Sequence, residues 1–157
     1  MRTTALFIVL SFLTIFFQNC AKPSDVMNAF HVPDFTTDPE FAPFIRDFEV
    51  LYKRSTSEIP IGFADLGPGL AGVCYRTAVG GQIVAAFIKI DKAVWPTMSR
   101  YQQMNLIFHE LGHCALNRNH TPVNSVLVCP VSLMHPQVLT TECLKQHLAE
   151  YIDELFQ

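Results

Sequence analysis

Two histidines and a glutamate have a spacing that suits metal chemistry. The segment His109-Glu110-Leu111-Gly112-His113 places the two histidines four residues apart. In a helix, side chains four residues apart start about 6 Å from each other, so both imidazoles can reach one metal ion. Glu110 is rotated by about 100° from His109, which favours accepting a proton from metal-bound water over serving as a third ligand. The motif alone leaves open a helix whose histidines bind no metal.

A third histidine, His120, follows the motif. Asparagine tolerates the left-handed backbone conformation found at helix ends, so a helix ending near Asn117 can turn back and bring His120 to the same ion. Three imidazoles with water as the fourth ligand are a catalytic zinc pattern. The sequence therefore predicts a Zn²⁺ site formed by His109, His113 and His120. The alternative is that His120 is an ordinary loop residue.

The segment Ser132-Leu133-Met134 lies after this histidine and before a predicted C-terminal helix. The combined order resembles the metzincin metalloproteases, whose pattern is His-Glu-x-x-His-x-x-Gly-x-x-His followed by a Ser-x-Met turn. The resemblance covers Ile83 to about Leu155. It implies that Met134 forms an apolar floor under the ligand imidazoles without binding the metal. It also implies a zinc-dependent endopeptidase that hydrolyses peptide or protein substrates, with Glu110 as the general base. An ordinary core methionine is the alternative for Met134.

The chain departs from the family pattern in two places. In the strict spacing Leu116 stands where the family has glycine and Asn119 where it has the third histidine, so the helix would be one residue longer here. Some members also carry a tyrosine two residues after the methionine, a position that Pro136 occupies. Three other residues could replace that tyrosine or be ordinary surface or core residues: His135, His147 and Tyr151.

Hydrophobic spacing predicts the elements that must position this site. Asp38-Pro39 predicts a helix start, and the apolar positions that follow have the three-and-four spacing of a buried stripe, namely Phe41, Phe44, Ile45, Phe48 and Leu51. Residues 59–64, 70–77 and 83–90 are predicted as strands, the last two joined around Gly80-Gly81. A long helix is predicted from Thr97 or Ser99 to about Asn117, and a last one from Thr140 or Thr141 to Phe156.

The predicted fold is therefore α+β, a small metzincin-like domain over residues 37–157. It has an N-terminal helix, a short three-stranded sheet, the active-site helix, the methionine turn and a C-terminal helix. One face of the active-site helix is predicted to be core, from the spacing of Tyr101, Met104, Phe108, Leu111 and Ala115. The family resemblance further implies that residues 83–90 are an edge strand that pairs with extended substrate. A buried strand is the alternative.

The N-terminal segment is predicted to be a secretory signal over residues 1–19. Ala5 to Phe17 is almost entirely apolar, and it is shorter than the roughly 20 residues that span a bilayer. Cys20 follows at a boundary that resembles the lipobox of bacterial lipoproteins, although Phe17 and Asn19 depart from the usual residues. We therefore predict export to the bacterial cell envelope with a lipid anchor on Cys20 and a tether over residues 20–36. Cleavage nearby that leaves Cys20 unmodified is the alternative.

Export makes the other four cysteines candidates for disulfides. Sequence alone does not choose among their three pairings. We favour Cys74 with Cys114 and Cys129 with Cys143, and four buried free thiols are the alternative. Cys114 follows His113, but helical rotation directs it away from the metal face, which favours a disulfide or packing role.

Composition limits the remaining classes of function. The 157 residues suit a single domain, predicted to be a monomer, and the net charge of −3 without a basic run argues against nucleic-acid binding. Two rivals to the protease hypothesis remain. One is a zinc-stabilised envelope lipoprotein that binds a partner and cleaves nothing, and the other is a chance motif that holds no metal.

Overall fold

The computed structural model describes residues 36–121 and 128–157. Over these residues the chain is α+β, as predicted, with three α-helices and a three-stranded sheet. The helices are α1 (Ala42–Tyr52), α2 (Arg100–Cys114) and α3 (Thr141–Leu155), and the strands are β1 (Ile61–Ala64), β2 (Gly72–Val79) and β3 (Gln82–Asp91). Short 3₁₀ turns at Pro39–Phe41 and Trp95–Thr97 precede α1 and α2. The predicted signal (1–19), Cys20 and all but the last residue of the predicted tether (20–36) lie outside the described residues.

Side-chain caps fix where the helical segments begin. Asp38 accepts a hydrogen bond from the backbone N–H of Glu40 and starts the turn that leads into α1. Ser99, rather than Thr97, caps α2 in a reciprocal capping box with Gln102. Thr140 caps α3 by accepting from the backbone N–H of Cys143. Each cap occupies one of the N–H groups that a helix start leaves without an intrahelical partner.

The sheet has the order β1-β3-β2, with β1 parallel and β2 antiparallel to β3. The expectation that residues 83–90 form an edge strand was therefore wrong, because β3 is the central strand. Ile61 of β1 lies opposite Ile88 of β3, and Cys74 of β2 lies opposite the same isoleucine on the other side. Strand spacing along the chain predicts the β2–β3 hairpin, but it does not reveal on which side β1 pairs.

The hydrophobic core lies between the inner face of the sheet and the helices. Ile88 and Ile90 of β3 are fully buried, and the ring of Phe48 of α1 packs edge-on against Phe108 of α2 at 5.3 Å between centroids. α2 is buried along much of its circumference, because it lies between the sheet and α3. Two residues assigned to buried stripes are more exposed than predicted, at 38% for Leu51 and 37% for Tyr101.

Two disulfides connect the elements in the pairing favoured from sequence. Cys74–Cys114 joins β2 to the last residue of α2, and Cys129–Cys143 joins the loop before α3 to its first turn. Disulfides of this kind indicate an oxidising, extracytoplasmic compartment. Among the helices in the described part of the chain, none combines the length and the apolar character that crossing a bilayer requires.

Candidate metal centre

Three imidazoles converge at the C-terminal end of α2. The Nε2 atoms of His109 and His113 lie 3.1 Å apart, one helical turn from each other. After the helix, Asn117 adopts a left-handed φ of 57°, and the N–H of Arg118 donates to the carbonyl of Gly112 at 2.9 Å. This reversal brings Nε2 of His120 to 3.2 Å from that of His109. All three residues predicted from sequence thus offer ligand atoms within 4.8 Å of one another.

Backbone carbonyls orient the two helical imidazoles. His109 Nδ1 lies 2.7 Å from the carbonyl oxygen of Leu133, and His113 Nδ1 lies 2.7 Å from that of Arg118. A carbonyl oxygen only accepts, so each Nδ1 carries the proton and donates it. The Nε2 atom of each ring therefore keeps its lone pair, which is the form that binds a metal.

The close approach of these nitrogens fits a bound cation. His109 and His113 bring two Nε2 lone pairs to 3.1 Å, and no proton lies between them to bridge the pair. A tetrahedral ion with metal–nitrogen bonds of about 2.05 Å spaces its ligands about 3.4 Å apart, close to the separations found here. An all-imidazole donor set suits zinc among the first-row metals, although copper, iron and nickel also accept such ligands.

Burial favours the neutral form of His109 and His113. Desolvation, together with the neighbouring His113, His120 and His135 rings, lowers the pKa of His109 to about 4, against the opposing effect of the hydrogen bond to the Leu133 carbonyl. Burial likewise lowers the pKa of His113 below its ordinary value, against the hydrogen bond to the Arg118 carbonyl. Neutral imidazole is the ligating form, so at neutral pH both rings are ready to bind a metal.

Glu110 is buried beside the histidines, at 4% exposure, against the edge of β2. A Cβ built on Gly72 would lie 2.9 Å from Glu110 Oε1, so the strand passes directly over the carboxylate. Burial raises the pKa of Glu110 to about 7, partly opposed by the backbone N–H of Cys74. A carboxyl with such a pKa is matched to exchanging protons near neutral pH.

Met134 lies directly beneath the ligand helix and is fully buried. A Cβ built on Gly112, the residue before His113, would meet the Met134 sulfur at 2.5 Å. The N–H of Met134 donates to Ser132 Oγ at 2.9 Å, which closes the turn. The structure therefore places the predicted methionine under the segment that carries the ligands, in apolar contact with the helix backbone.

A cleft of about 620 Å³ opens beside the three histidines. Residues 69–74 line one wall, and residues 135–138 line another. Of the three candidates to replace the missing tyrosine, only His135 lines this cleft. Tyr151 is buried and donates its hydroxyl to the carbonyl of Pro130, and His147 contacts the Tyr151 ring.

The edge of β2 that β3 does not occupy borders the cleft. The N–H of Asp91 donates to the carbonyl of Ala71 at 2.8 Å, so these residues form a hydrogen-bonded pair of the antiparallel ladder. Such pairs alternate with non-hydrogen-bonded ones. Gly72, Cys74 and Arg76 therefore direct their backbone N–H and C=O groups away from β3, toward the edge where the described residues contain no further strand.

Arg76 is a site residue that sequence reasoning missed. Its guanidinium donates to the carbonyl of His113 and, at 3.2 Å, to Oδ1 of Asn119. A cation at this position complements the carbonyl end of α2. The available signal was strand alternation, which places Arg76 on the same face of β2 as Cys74. No sequence signal identified the carbonyls of Leu133 and Arg118, because every residue carries one.

Comparisons with protein-family models, with curated proteins and with solved structures find no match to this chain. The case for function therefore depends on the geometry and chemistry of the site.

Proposed function

We propose that this protein is a zinc-dependent endopeptidase of the metzincin type. The observation that carries the proposal is the convergence of His109, His113 and His120 beside a buried carboxylate, in a cleft bordered by a free strand edge. Three imidazole ligands leave a fourth position for water, the arrangement of catalytic rather than structural zinc sites. Zinc held there would lower the pKa of water from 15.7 toward about 7 and polarise a substrate carbonyl.

Glu110 would handle the proton. Its carboxylate lies one residue from His109 on the helix and faces the same cleft. It would accept a proton from the attacking water and pass it to the leaving amine, which requires one group to act first as base and then as acid. The pKa of about 7 that burial gives Glu110 supports both roles at neutral pH.

The β2 edge would hold the substrate in an extended conformation. The backbone groups of Gly72 and Arg76 and the carbonyl of Cys74 can pair with a peptide as an additional strand, which fixes the substrate by its main chain, while the Cys74 N–H bonds to Glu110. This assignment moves the substrate-binding role from β3, where the family resemblance put it, to β2. Gly72 supports the role because its missing side chain lets this strand edge approach Glu110 closely.

We further propose that the protein is exported to the bacterial envelope and anchored through lipidated Cys20. The two disulfides support an oxidising compartment. A second candidate function is a zinc-stabilised binding module without hydrolytic activity. Pro136 favours it, because it occupies the place where some metzincins have a tyrosine that stabilises the transition state.

The discriminating experiment compares three proteins purified without a metal-binding tag: wild type, Glu110→Gln and His120→Ala. Wild type should contain one zinc per chain and cleave members of a peptide library. Glu110→Gln should retain zinc and lose cleavage by a factor on the order of 100–10,000, the usual contribution of a general base. His120→Ala should lose both. Undiminished cleavage by Glu110→Gln would disprove the assigned mechanism, and zinc without any cleavage in wild type would favour the binding module.

A further inference from the structure

Glu154, in the last turn of α3, lies at the centre of a hydrogen-bond network behind the metal centre. Its Oε2 accepts from the hydroxyl of Ser132 at 2.6 Å, and its Oε1 accepts from the guanidinium of Arg118. The same guanidinium donates to the backbone carbonyl of Glu154 at 2.5 Å. One carboxylate thus holds the two segments that follow α2, the reversal at Arg118 and the turn at Ser132.

Each of these segments carries the carbonyl that orients one ligand ring. Arg118, whose side chain is bound to Glu154, offers its own carbonyl to Nδ1 of His113. Ser132, bound to the other carboxylate oxygen, precedes Leu133, whose carbonyl accepts from Nδ1 of His109. Each side chain that Glu154 contacts therefore belongs either to the residue whose carbonyl orients a ligand imidazole or to the residue directly before it.

The third ligand is connected to the same turn. The N–H of Thr121, the residue after His120, donates to the carbonyl of Met134 at 2.9 Å. The N–H of Met134 in turn donates to Ser132 Oγ, the group held by Glu154. Fixing this turn therefore also fixes the segment that presents His120.

We propose that Glu154 is a positioning residue that sets the metal affinity of all three histidines at once, through Arg118 and Ser132. The side chains of Glu154 and Arg118 are only 31% and 28% exposed, so this ion pair is screened less than a surface pair. Groups that orient metal ligands typically account for a 10- to 100-fold difference in affinity. The inference rests on the proposed metal site but not on protease activity.

The test measures zinc affinity of the full chain by competition with a chelator of known affinity. Glu154→Gln keeps the shape of the side chain but loses its charge and one acceptor, and should weaken binding about 10-fold; Glu154→Ala should approach 100-fold. The matched control is Glu150→Gln, one turn earlier on the same helix. The side chain of Glu150 is exposed and makes no hydrogen bond or ion pair with other described residues, so its variant should bind zinc as wild type does.

A role limited to anchoring α3 predicts a different result. The unfolding midpoint of Glu154→Gln would fall, but zinc affinity and the visible spectrum of the Co²⁺-substituted protein would match wild type, and that outcome would overturn the proposal. Ser132→Ala breaks the branch from Glu154 to the methionine turn, together with the hydrogen bond from the Met134 N–H, and leaves the Arg118 branch in place. It should also weaken zinc binding, which keeps the test decisive if Glu154→Ala does not fold. Combined with Glu154→Gln, it should weaken binding by less than the product of the two effects.

A second measurement separates this proposal from the proposed function. In the metal-free protein, NMR can follow the Nδ1–H protons of His109 and His113, which the two carbonyls protect from exchange with solvent. These protons should exchange faster in Glu154→Gln than in Glu150→Gln. Equal exchange would refute the role of Glu154 even in a working protease. Faster exchange would support it even if the wild-type protein cleaved no peptide.

Discussion

The contact between Gly112 and Met134 gives a prediction whose magnitude can be worked from the structure. In Gly112→Ala, the new Cβ would lie 2.5 Å from the Met134 sulfur, 3.2 Å from its methyl carbon and 3.3 Å from Leu155 Cδ1. Met134 is fully buried, so the sulfur cannot move out of the way into solvent. Overpacking a core of this kind costs about 1–3 kcal/mol.

The higher helix propensity of alanine opposes this overpacking cost and must be subtracted from it. Alanine favours a helix interior over glycine by about 0.5–1 kcal/mol, so the substitution at a site with free space would stabilise α2. The difference between these two ranges is about 0–2.5 kcal/mol. Because a 2.5 Å contact is too short for an unshifted fit, we expect Gly112→Ala to lower the free energy of unfolding by an amount in the upper part of that range, about 1–2.5 kcal/mol. Because Gly112 precedes His113, zinc affinity should fall as well.

The assay is urea unfolding of metal-free wild type, Gly112→Ala, Met134→Leu and the double variant. Leucine is shorter than methionine, so the alanine should be accommodated better when residue 134 is leucine, and the penalty of Gly112→Ala should shrink in that background. A Gly112→Ala protein as stable as wild type or more stable would mean that only helix propensity acts. The placement of Met134 under α2 would then be wrong.

Three further predictions follow from other contacts. Gly72→Ala should displace Glu110, because the new Cβ would lie 2.9 Å from Oε1 of that residue. Cleavage should then fall on the order of 10- to 100-fold with zinc content unchanged. Unaltered cleavage would contradict the assignment of Glu110. Replacing both Cys74 and Cys114 by serine removes a disulfide between residues 40 positions apart, and should lower the free energy of unfolding by about 4 kcal/mol. Denaturant unfolding measures this loss, and a loss under about 1 kcal/mol would argue against the disulfide. Hydrogen bonds from the backbone N–H groups of residues 66, 94 and 93 lower the pKa of Asp91 below 3.8. The ionised carboxylate therefore stabilises the fold above about pH 4. This stabilisation is lost as the pH falls through the pKa of the folded state. Asp91→Asn should therefore lose less stability than wild type when unfolding is measured from pH 6 to pH 2, and an identical acid dependence would refute this.

The site was partly predictable because its information is local. The four-residue spacing of His109 and His113 fixes their relative direction once the segment is helical, and helical periodicity is visible in sequence. Asn117 was a usable signal for the chain reversal because few residue types tolerate a left-handed φ. Helix caps could also be predicted from sequence, although two candidates remained at the start of each of α2 and α3. The hydrogen bonds in the structure identify Ser99 and Thr140 as the caps.

Other features depended on contacts between distant segments. The docking of β1 decides which strand forms the edge beside the cleft. Sequence does not reveal this, because apolar residues alternate in the same way in a central strand and in an edge strand with one buried face. The exposure of Leu51 shows the same limit, since periodicity marks an apolar stripe but not how much of it finds a partner. The pairing of cysteines also depended on the docking of β2 on α2.

The sequence by itself determined the residues of the site, namely three histidines that could hold a metal ion, one glutamate beside them and the methionine below them, together with the α+β order of elements. Helix and strand periods act over a few residues, so a single segment carries the necessary information. Only the tertiary structure decided that β2 borders the cleft, that the carbonyls of Leu133 and Arg118 orient the rings, and that Glu154 connects them. The ring-orienting contacts end on backbone carbonyls, which are the same in every residue type. The contacts of Glu154 join side chains up to 36 positions apart, so no local pattern in the sequence records them.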